Sequence, residues 1–459
     1  MANAVTHETL HRTAKYFMDS GRAASHEEAM NALRSFGLYI EVGPEVAVSR
    51  DHQVALLTLV NTARRTLLGG VHVVGAPNAP LLVSLADAGT VASAVAQLGG
   101  RLVERRSRDW PVASIGSVGA RSTTVPHWYV TWDGWRGGVV PARDGCRLAE
   151  RASGGLGPAL AAAVGAAEAF LFHAGDHPMA GRRAAGLSLW RPEADWLADD
   201  VTEPEVMFLP SRLWLIGLGN LGQAFLWLLA CQCYGDPRDL ELMLQDYDCV
   251  AESNDSTSVL TARSMIGLMK TRAVAEWLET RGFRTRLEER RFGEWTQRAP
   301  HEPAVALCGV DNALARAALE QAGFELIVEA GLGAGPEAFR NFSLHTFPSS
   351  LSAAEIWAHD AVAESIRHSN LPAYEASKHP NLDECGLVQL ASRSVGVPFV
   401  SLTAGALAIA ELLRRLHGGP ALELVSGSIA ALEHVETSSM ECRMYPFGHV
   451  MAAPNTLGG

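Results

Sequence analysis

The segment from Arg212 to Arg316 constrains the fold more than any other part of the chain. It opens with an apolar run, RLWLIG, and turns through Gly217, Gly219 and Gly222 into a helical pattern. A second run, ELMLQ, ends in Asp246-Tyr247-Asp248. A helical stretch carrying Lys270 follows, and a third run, AVALCGV, ends in Asp311-Asn312. Short continuous apolar runs read as strands buried on both faces, and strands alternating with helices predict a parallel sheet. The expected fold is α/β and Rossmann-like.

The residues in those loops share one chemistry. A glycine turn lets backbone N–H groups approach phosphate oxygens at a helix start. Asp246 is placed to accept from a ribose hydroxyl. Lys270 offers a point positive charge, and Asp311 offers a hard oxygen ligand for Mg2+. The glycine turn and the acid alone would equally describe a nicotinamide site. Lys270 together with Asp311, Asn312 and Arg316 points instead to Mg-ATP, because charge on the α-phosphate must be neutralised while a carboxylate attacks it.

In order and spacing these residues resemble the ThiF/MoeB/ubiquitin-activating enzyme superfamily. The pattern is a glycine turn, an acid-x-acid strand end (Asp246, Asp248), a Ser-Asn start (Ser253-Asn254), a Gly-x-x-Lys helix (Gly267 to Lys270) and an Asp-Asn-x-x-x-Arg strand end (Asp311, Asn312, Arg316). The resemblance implies that Gly217, Gly219, Gly222, Asp246, Asp248, Asn254, Lys270, Asn312 and Arg316 bind the nucleotide, and that Asp311 holds magnesium. It implies adenylation of a C-terminal carboxylate, usually the Gly-Gly tail of a ubiquitin-like or sulfur-carrier protein. One departure stands out. Where the family has an arginine after the asparagine, this chain reads Asp255-Ser256-Thr257-Ser258. Arg263, Arg272 or an arginine from elsewhere is then expected to replace it.

A chain of 459 residues is too long for one ordinary core, so two domains are expected. The expected division is 1–185, a linker at 186–210 rich in Pro, Asp and Glu, and 211–459 with a polar crossover at 351–384. Residues 1–40 read as helical, and Val71–Val74, Leu81–Leu85, Pro111–Ile115 and Trp128–Trp132 read as short strands. Gly157-Pro158 followed by Gly165-Ala166 matches Gly396-Val397-Pro398 followed by Gly405-Ala406, with the same Pro-to-Gly spacing. By resemblance, the first half would be a degenerate, inactive adenylation-like domain, with Val71–Gly75 as the strand that lacks its glycine turn. In the family such a half lends an arginine to the nucleotide, and Arg50, Arg64 and Arg65 are the candidates.

A formal net charge of -12 argues against nucleic acid as a partner. No uninterrupted apolar run reaches the length of a membrane span. Seven scattered cysteines suit a reducing compartment, so a cytoplasmic location is expected. Cys231 and Cys233 are too closely spaced for a zinc pair, and no structural zinc is expected. Cys249, Cys308 and Cys442 read as core, and Cys146 as an exposed turn. The resemblance places an acyl-accepting cysteine in the crossover ahead of the last long helix, where Cys385 stands, and implies thioester formation with a possible conjugating-enzyme-like acceptor. In a bacterium it would suggest a ubiquitin-like conjugation system, some of which act in antiviral defence. A peptide- or small-molecule-modifying adenylyltransferase without a thioester step, and a non-catalytic pseudoenzyme, are the alternatives. The closing Leu457-Gly458-Gly459 reads as a flexible end.

Overall fold

The structure, a computed structural model, describes residues 6–119, 124–198, 203–357, 394–441 and 445–453. Two twisted sheets dominate it. The first contains β1 (Gly37–Val42), β2 (Gly70–Val74), β3 (Arg101–Val103), β4 (Val112–Ile115), β5 (His127–Asp133), β6 (Arg136–Pro141) and β7 (Ala185–Ser188), in the order β3-β2-β1-β4-β5-β6-β7. After β8 (Phe208–Pro210), the second contains β9 (Arg212–Ile216), β10 (Glu241–Gln245), β11 (Arg284–Glu288), β12 (Val305–Cys308), β13 (Leu326–Leu332), β14 (Asn341–Phe347), β15 (Ala421–Ser428) and β16 (Glu436–Met440). Its order is β11-β10-β9-β12-β13-β14-β15-β16. A short ribbon pairs β8 with β17 (His449–Met451).

The two sheets repeat one plan. In each, the third, second, first, fourth and fifth strands run parallel, and the sixth and seventh continue antiparallel. This corrects the strand expected to correspond to β9. That strand is Gly37–Val42, not Val71–Gly75, and residues 1–40 are therefore not helical throughout. The apolar stretch GLYIEV follows directly on the helix His26–Ser35, so the helical period hides where it ends. Leu81–Leu85 forms no strand, and β7 reaches Ser188, inside the segment read as linker.

The helices α1 (Ala14–Asp19), α2 (His26–Ser35), α3 (Arg50–Ala63), α4 (Val91–Gln97), α5 (Leu156–Ala174) and α6 (Asn220–Ala230) are joined by a closing helix, Pro398–Leu416. Helix α5 packs on α3 and on the closing helix, which packs on α6, so the cores of both halves merge. Every residue of α5 from Leu156 to Leu171 is buried. Alanine and glycine on these faces permit close approach. A Cβ on Gly405 would stand 2.9 Å from Leu228 Cδ1 of α6. Trp227 Nε1 of α6 donates to Thr58 Oγ1 of α3 at 3.0 Å, which satisfies a polar pair inside the junction. Helix α5 is long and apolar enough to cross a membrane, but 89% of its most apolar window is buried in the protein.

Candidate active site

The candidate site lies at the carboxyl ends of β9, β10 and β12, three adjacent parallel strands. Gly217 has φ +85°, a conformation that side chains rarely adopt, and turns the chain off β9. A Cβ at Gly222 would stand 2.0 Å from the Gly217 carbonyl oxygen, so only glycine lets the first turn of α6 close on the loop. Gly219, the N-cap of α6, faces open space and supplies no side-chain cap. The first N–H groups of this eleven-residue helix therefore remain available to an anion.

Asp246 ends β10 and braces the loop. One carboxylate oxygen accepts from Leu218 N at 2.7 Å and the other from Asp248 N at 2.9 Å. Each oxygen keeps a lone pair for a further donor. Asp248 is the more open acid, with its side chain 49% exposed against 7% for Asp246. Lys270 Nζ lies 2.8 Å from Asp248 Oδ2 and 3.9 Å from Asp246 Oδ2. Its backbone N–H donates to the Asp248 carbonyl at 2.9 Å, which pins the start of helix α7 (Lys270–Glu279) against the acid pair. Val310, beyond β12, packs on the glycine turn, where a Cβ on Gly217 would meet Val310 Cγ1 at 2.8 Å. Asp311 follows it and is exposed. The glycine loop, the acid pair, Lys270 and the Asp311 strand end are thus gathered by one sheet.

Three expected nucleotide contacts have other work. Asn312 Oδ1 accepts from Ala315 N at 3.0 Å and caps the short helix after β12. Asn254 Oδ1 accepts from Ala251 N at 2.8 Å and shapes the turn that carries Asp255. Arg316 Nε donates to the Val310 carbonyl at 2.8 Å and lies 3.1 Å from buried Glu329, with its guanidinium over the Trp357 ring. It braces the strand end that presents Asp311.

Most of the arginine candidates are engaged by other groups. Arg50 donates to the carbonyls of Cys231 and Gln232 at 2.8 and 2.9 Å, at the far end of α6 from the glycine loop. Arg64 and Arg65 grip Asp255, with nitrogen–oxygen distances of 2.9 and 3.2 Å. Arg65 also donates to the carbonyls of Asp255, Val259 and Thr261. Burial alone would raise the Asp255 carboxyl, but the Arg64 hydrogen bonds and the charge of both arginines hold it below the usual carboxylate range. Arg272 is committed to Glu289 on the surface, and Arg263 is exposed.

Arg12, which the sequence did not single out, lies beside this stretch. Its backbone N–H donates to Ser256 Oγ at 3.0 Å, its Cβ lies beside Gly396, which also faces Thr257, and its guanidinium reaches Ser394 Oγ at 3.5 Å. An arginine of the N-terminal segment is therefore a neighbour of the stretch that lacks the family arginine. The signal was faint: a lone arginine in a polar stretch, HETLHRTAK, ahead of any recognisable element.

Cys231, Cys233 and Cys308 are buried, and burial pushes the Cys231 and Cys308 thiols up to about 12. Cys249, expected in the core, is exposed at the rim of the site, because the chain turns outward after Asp248. Cys385, Cys442, most of the crossover and the terminal glycines lie outside the described residues. No cluster of three metal-ligating side chains occurs among the described residues.

The family descriptions "BilD N-terminal domain" and "BilD C-terminal domain" match residues 37–189 and 209–419. A curated relative, the "Bacterial E1-like protein BilD" of Collimonas sp. (strain OK412), is 58% identical over 448 residues, 98% of this chain and 97% of its own. The chain belongs to the BilD family of bacterial E1-like proteins. Among solved structures, E. coli MccB with ATP is similar at 14% identity and a TM-score of 0.32, over 51% of this chain and 64% of the MccB chain. The match thus spans less than two thirds of MccB. The E. coli tRNA dehydratase TcdA is similar at 14% identity and a TM-score of 0.30, over 45% of this chain and 86% of its own. TM-scores this low do not relate one site to another.

Proposed function

We propose that this BilD-family protein uses ATP to adenylate the C-terminal glycine of a ubiquitin-like or sulfur-carrier protein, then holds that protein as a thioester on Cys385. The observation that carries the proposal is the convergence of the uncapped α6 N-terminus, the Asp246–Asp248–Lys270 cluster and Asp311 at one strand-end crevice. Membership of an E1-like family supports it.

In this reading the N–H groups after Gly219 receive phosphate oxygens, and Asp246 and Asp248 accept from the ribose hydroxyls. Lys270, relieved of part of its pairing with Asp248, neutralises charge as the carrier carboxylate attacks the α-phosphate. Magnesium, held by Asp311, would supply Lewis-acid stabilisation of the leaving pyrophosphate. Arg12 takes the place of the missing family arginine, so the first half serves catalysis without a nucleotide loop of its own. No glycine turn follows β1, whose chain passes through Gly43-Pro44 into a short 3₁₀ turn. On that ground the first half has no adenylation site of its own. A cytoplasmic location belongs to the same reading.

Calorimetry with ATP and Mg2+, and separately with NAD, tests the nucleotide. Binding of NAD without ATP would overturn the reading. A non-reducing gel with the cognate carrier and ATP tests the thioester: the adduct disappears in Cys385→Ala while pyrophosphate exchange persists. If adenylate accumulates and the parent forms no adduct, an adenylyltransferase without a thioester step replaces this reading. If ATP binds without exchange, the protein is a pseudoenzyme.

A further inference from the structure

Outside the nucleotide crevice, the first half carries a second array of reactive groups. Ser49 is the N-cap of α3, and its Oγ lies 2.8 Å from His52 Nδ1. Beside it the His52 backbone N–H donates to the same Oγ at 3.4 Å, which is ordinary helix capping. The other ring nitrogen makes it more. His52 Nε2 lies 3.2 Å from Glu150 Oε2, which is 98 residues away in sequence. Glu150 is fixed in turn by Arg147, whose Nη2 donates to both of its oxygens at 2.6 Å and whose Nε donates to one at 3.0 Å. Among the described residues Glu150 is the non-glycine residue with positive φ, at 51°. Its backbone is held in a sparsely populated conformation that aims the carboxylate at His52.

Ser49 lines a cavity of about 290 Å³ between the two halves, and His52 and Glu150 stand behind it with side chains only 6% exposed. Val48 and Leu82, exposed by 65% and 44%, form apolar lips of that cavity. Arg50 and Asp51 begin α3 directly after Ser49, and their N–H groups have no acceptor within the helix. Such unpaired N–H groups next to the nucleophile are donors that an oxyanion could accept.

We propose that Ser49, His52 and Glu150 form a hydrolytic triad for small activated acyl compounds, esters or thioesters with a short apolar acyl group. Glu150 accepts a hydrogen bond from Nε2–H and so fixes the tautomer that leaves Nδ1 free to take the Ser49 proton. The Ser49 Oγ–acyl bond forms as the acyl–alkoxide or acyl–thiolate bond breaks, and the leaving group departs with the proton from His52. Water, deprotonated by His52, then attacks the acyl carbon. The acid is released and the proton returns to Ser49.

The test treats the full chain with a fluorophosphonate probe, which forms a Ser49 Oγ–P bond with loss of fluoride, and locates the adduct by peptide mass spectrometry. p-Nitrophenyl acetate hydrolysis is measured beside it. The parent is labelled on Ser49. His52→Ala slows labelling by about 100-fold or more, and Glu150→Gln also slows it. Ser49→Asp keeps a good N-cap, so the fold is retained while labelling and acetate release fall to background. Absence of label on Ser49 in the folded parent, or parental labelling rates in His52→Ala, overturns the proposal and leaves Ser49 a helix cap.

Discussion

The backbone amide of Arg12 donates to the hydroxyl of Ser256 at 3.0 Å, across 244 residues of sequence. Ser256 Oγ in turn donates to the Ser253 carbonyl at 2.7 Å, and Ser253 N donates to the Glu8 carbonyl at 2.6 Å. The N-terminal segment is therefore stitched along the stretch that lacks the family arginine. Arg12→Ala should lower ATP–pyrophosphate exchange by about 100-fold, the scale of losing one group that stabilises developing charge. The melting temperature should fall only slightly, because losing the 3.5 Å side-chain contact to Ser394 leaves the backbone bonds to Ser256 and Ser253 in place. Exchange at the parental rate would remove Arg12 from the site.

Lys270→Ala and Asp311→Ala should each abolish exchange, since each acts on phosphate charge and its loss costs about 3 kcal/mol or more of barrier. Their stabilities should differ. Asp311 is exposed at a strand end, so its loss leaves the unfolding midpoint in place. Removing Lys270 leaves Asp246 and Asp248 facing one another without a cation, and the midpoint falls. Urea denaturation alongside exchange assays separates the two.

Arg65 is 3% exposed and ties Asp255, Val259 and Thr261 of the second half to α3. Arg65→Ala should destabilise the junction by about 3 kcal/mol, because it strips donors from several carbonyls in a region closed to water. A urea midpoint unchanged from the parent would contradict this. Residues 206–459 expressed alone should aggregate or be inactive, because the faces of α6 and the closing helix that α3 and α5 cover would be open.

Acid should loosen the N-terminal segment before it unfolds the sheets. Burial, with the nearby His26, lowers the His11 pKa to about 4, and burial also lowers His26 itself. Between about pH 6.5 and pH 4 the unfolded chain binds more protons than the folded one at these positions. Stability therefore falls as pH drops through that window and is fully present above it. Asp255 has the depressed pKa of a paired carboxylate, so its contribution is lost only at lower pH still. Amide exchange of residues 6–19 against pH should rise ahead of exchange in β9 and β12.

Iodoacetamide should modify Cys146 and Cys249 in the native protein and spare Cys231 and Cys308, whose thiols burial pushes up to about 12. Alkylation of Cys249, next to Asp248, should also slow exchange, and added ATP should protect it. Mass spectrometry of tryptic peptides reads both effects.

What the sequence by itself determined is local in the chain. The glycine turn, the acid strand end, Lys270 and Asp311 each sit at the end of an apolar run or the start of a helical one, and periodicity alone placed them at one edge of a parallel sheet. The shared sheet order of the two halves left only a Pro-Gly echo in two alanine-rich helices, because many sequences satisfy the same strand order. Only tertiary structure decided which side chains are already spent. Arg316, Asn254 and Asn312 match a nucleotide-site pattern yet satisfy backbone groups nearby. Arg50, Arg64 and Arg65 are equally basic in sequence, but one caps a helix and two clamp a loop. Arg12 meets Ser256 across 244 residues and Glu150 meets His52 across 98, contacts that no local pattern encodes. Spacing along a strand or helix fixes neighbours a few residues apart; contacts over hundreds of residues depend on which faces the buried core brings together.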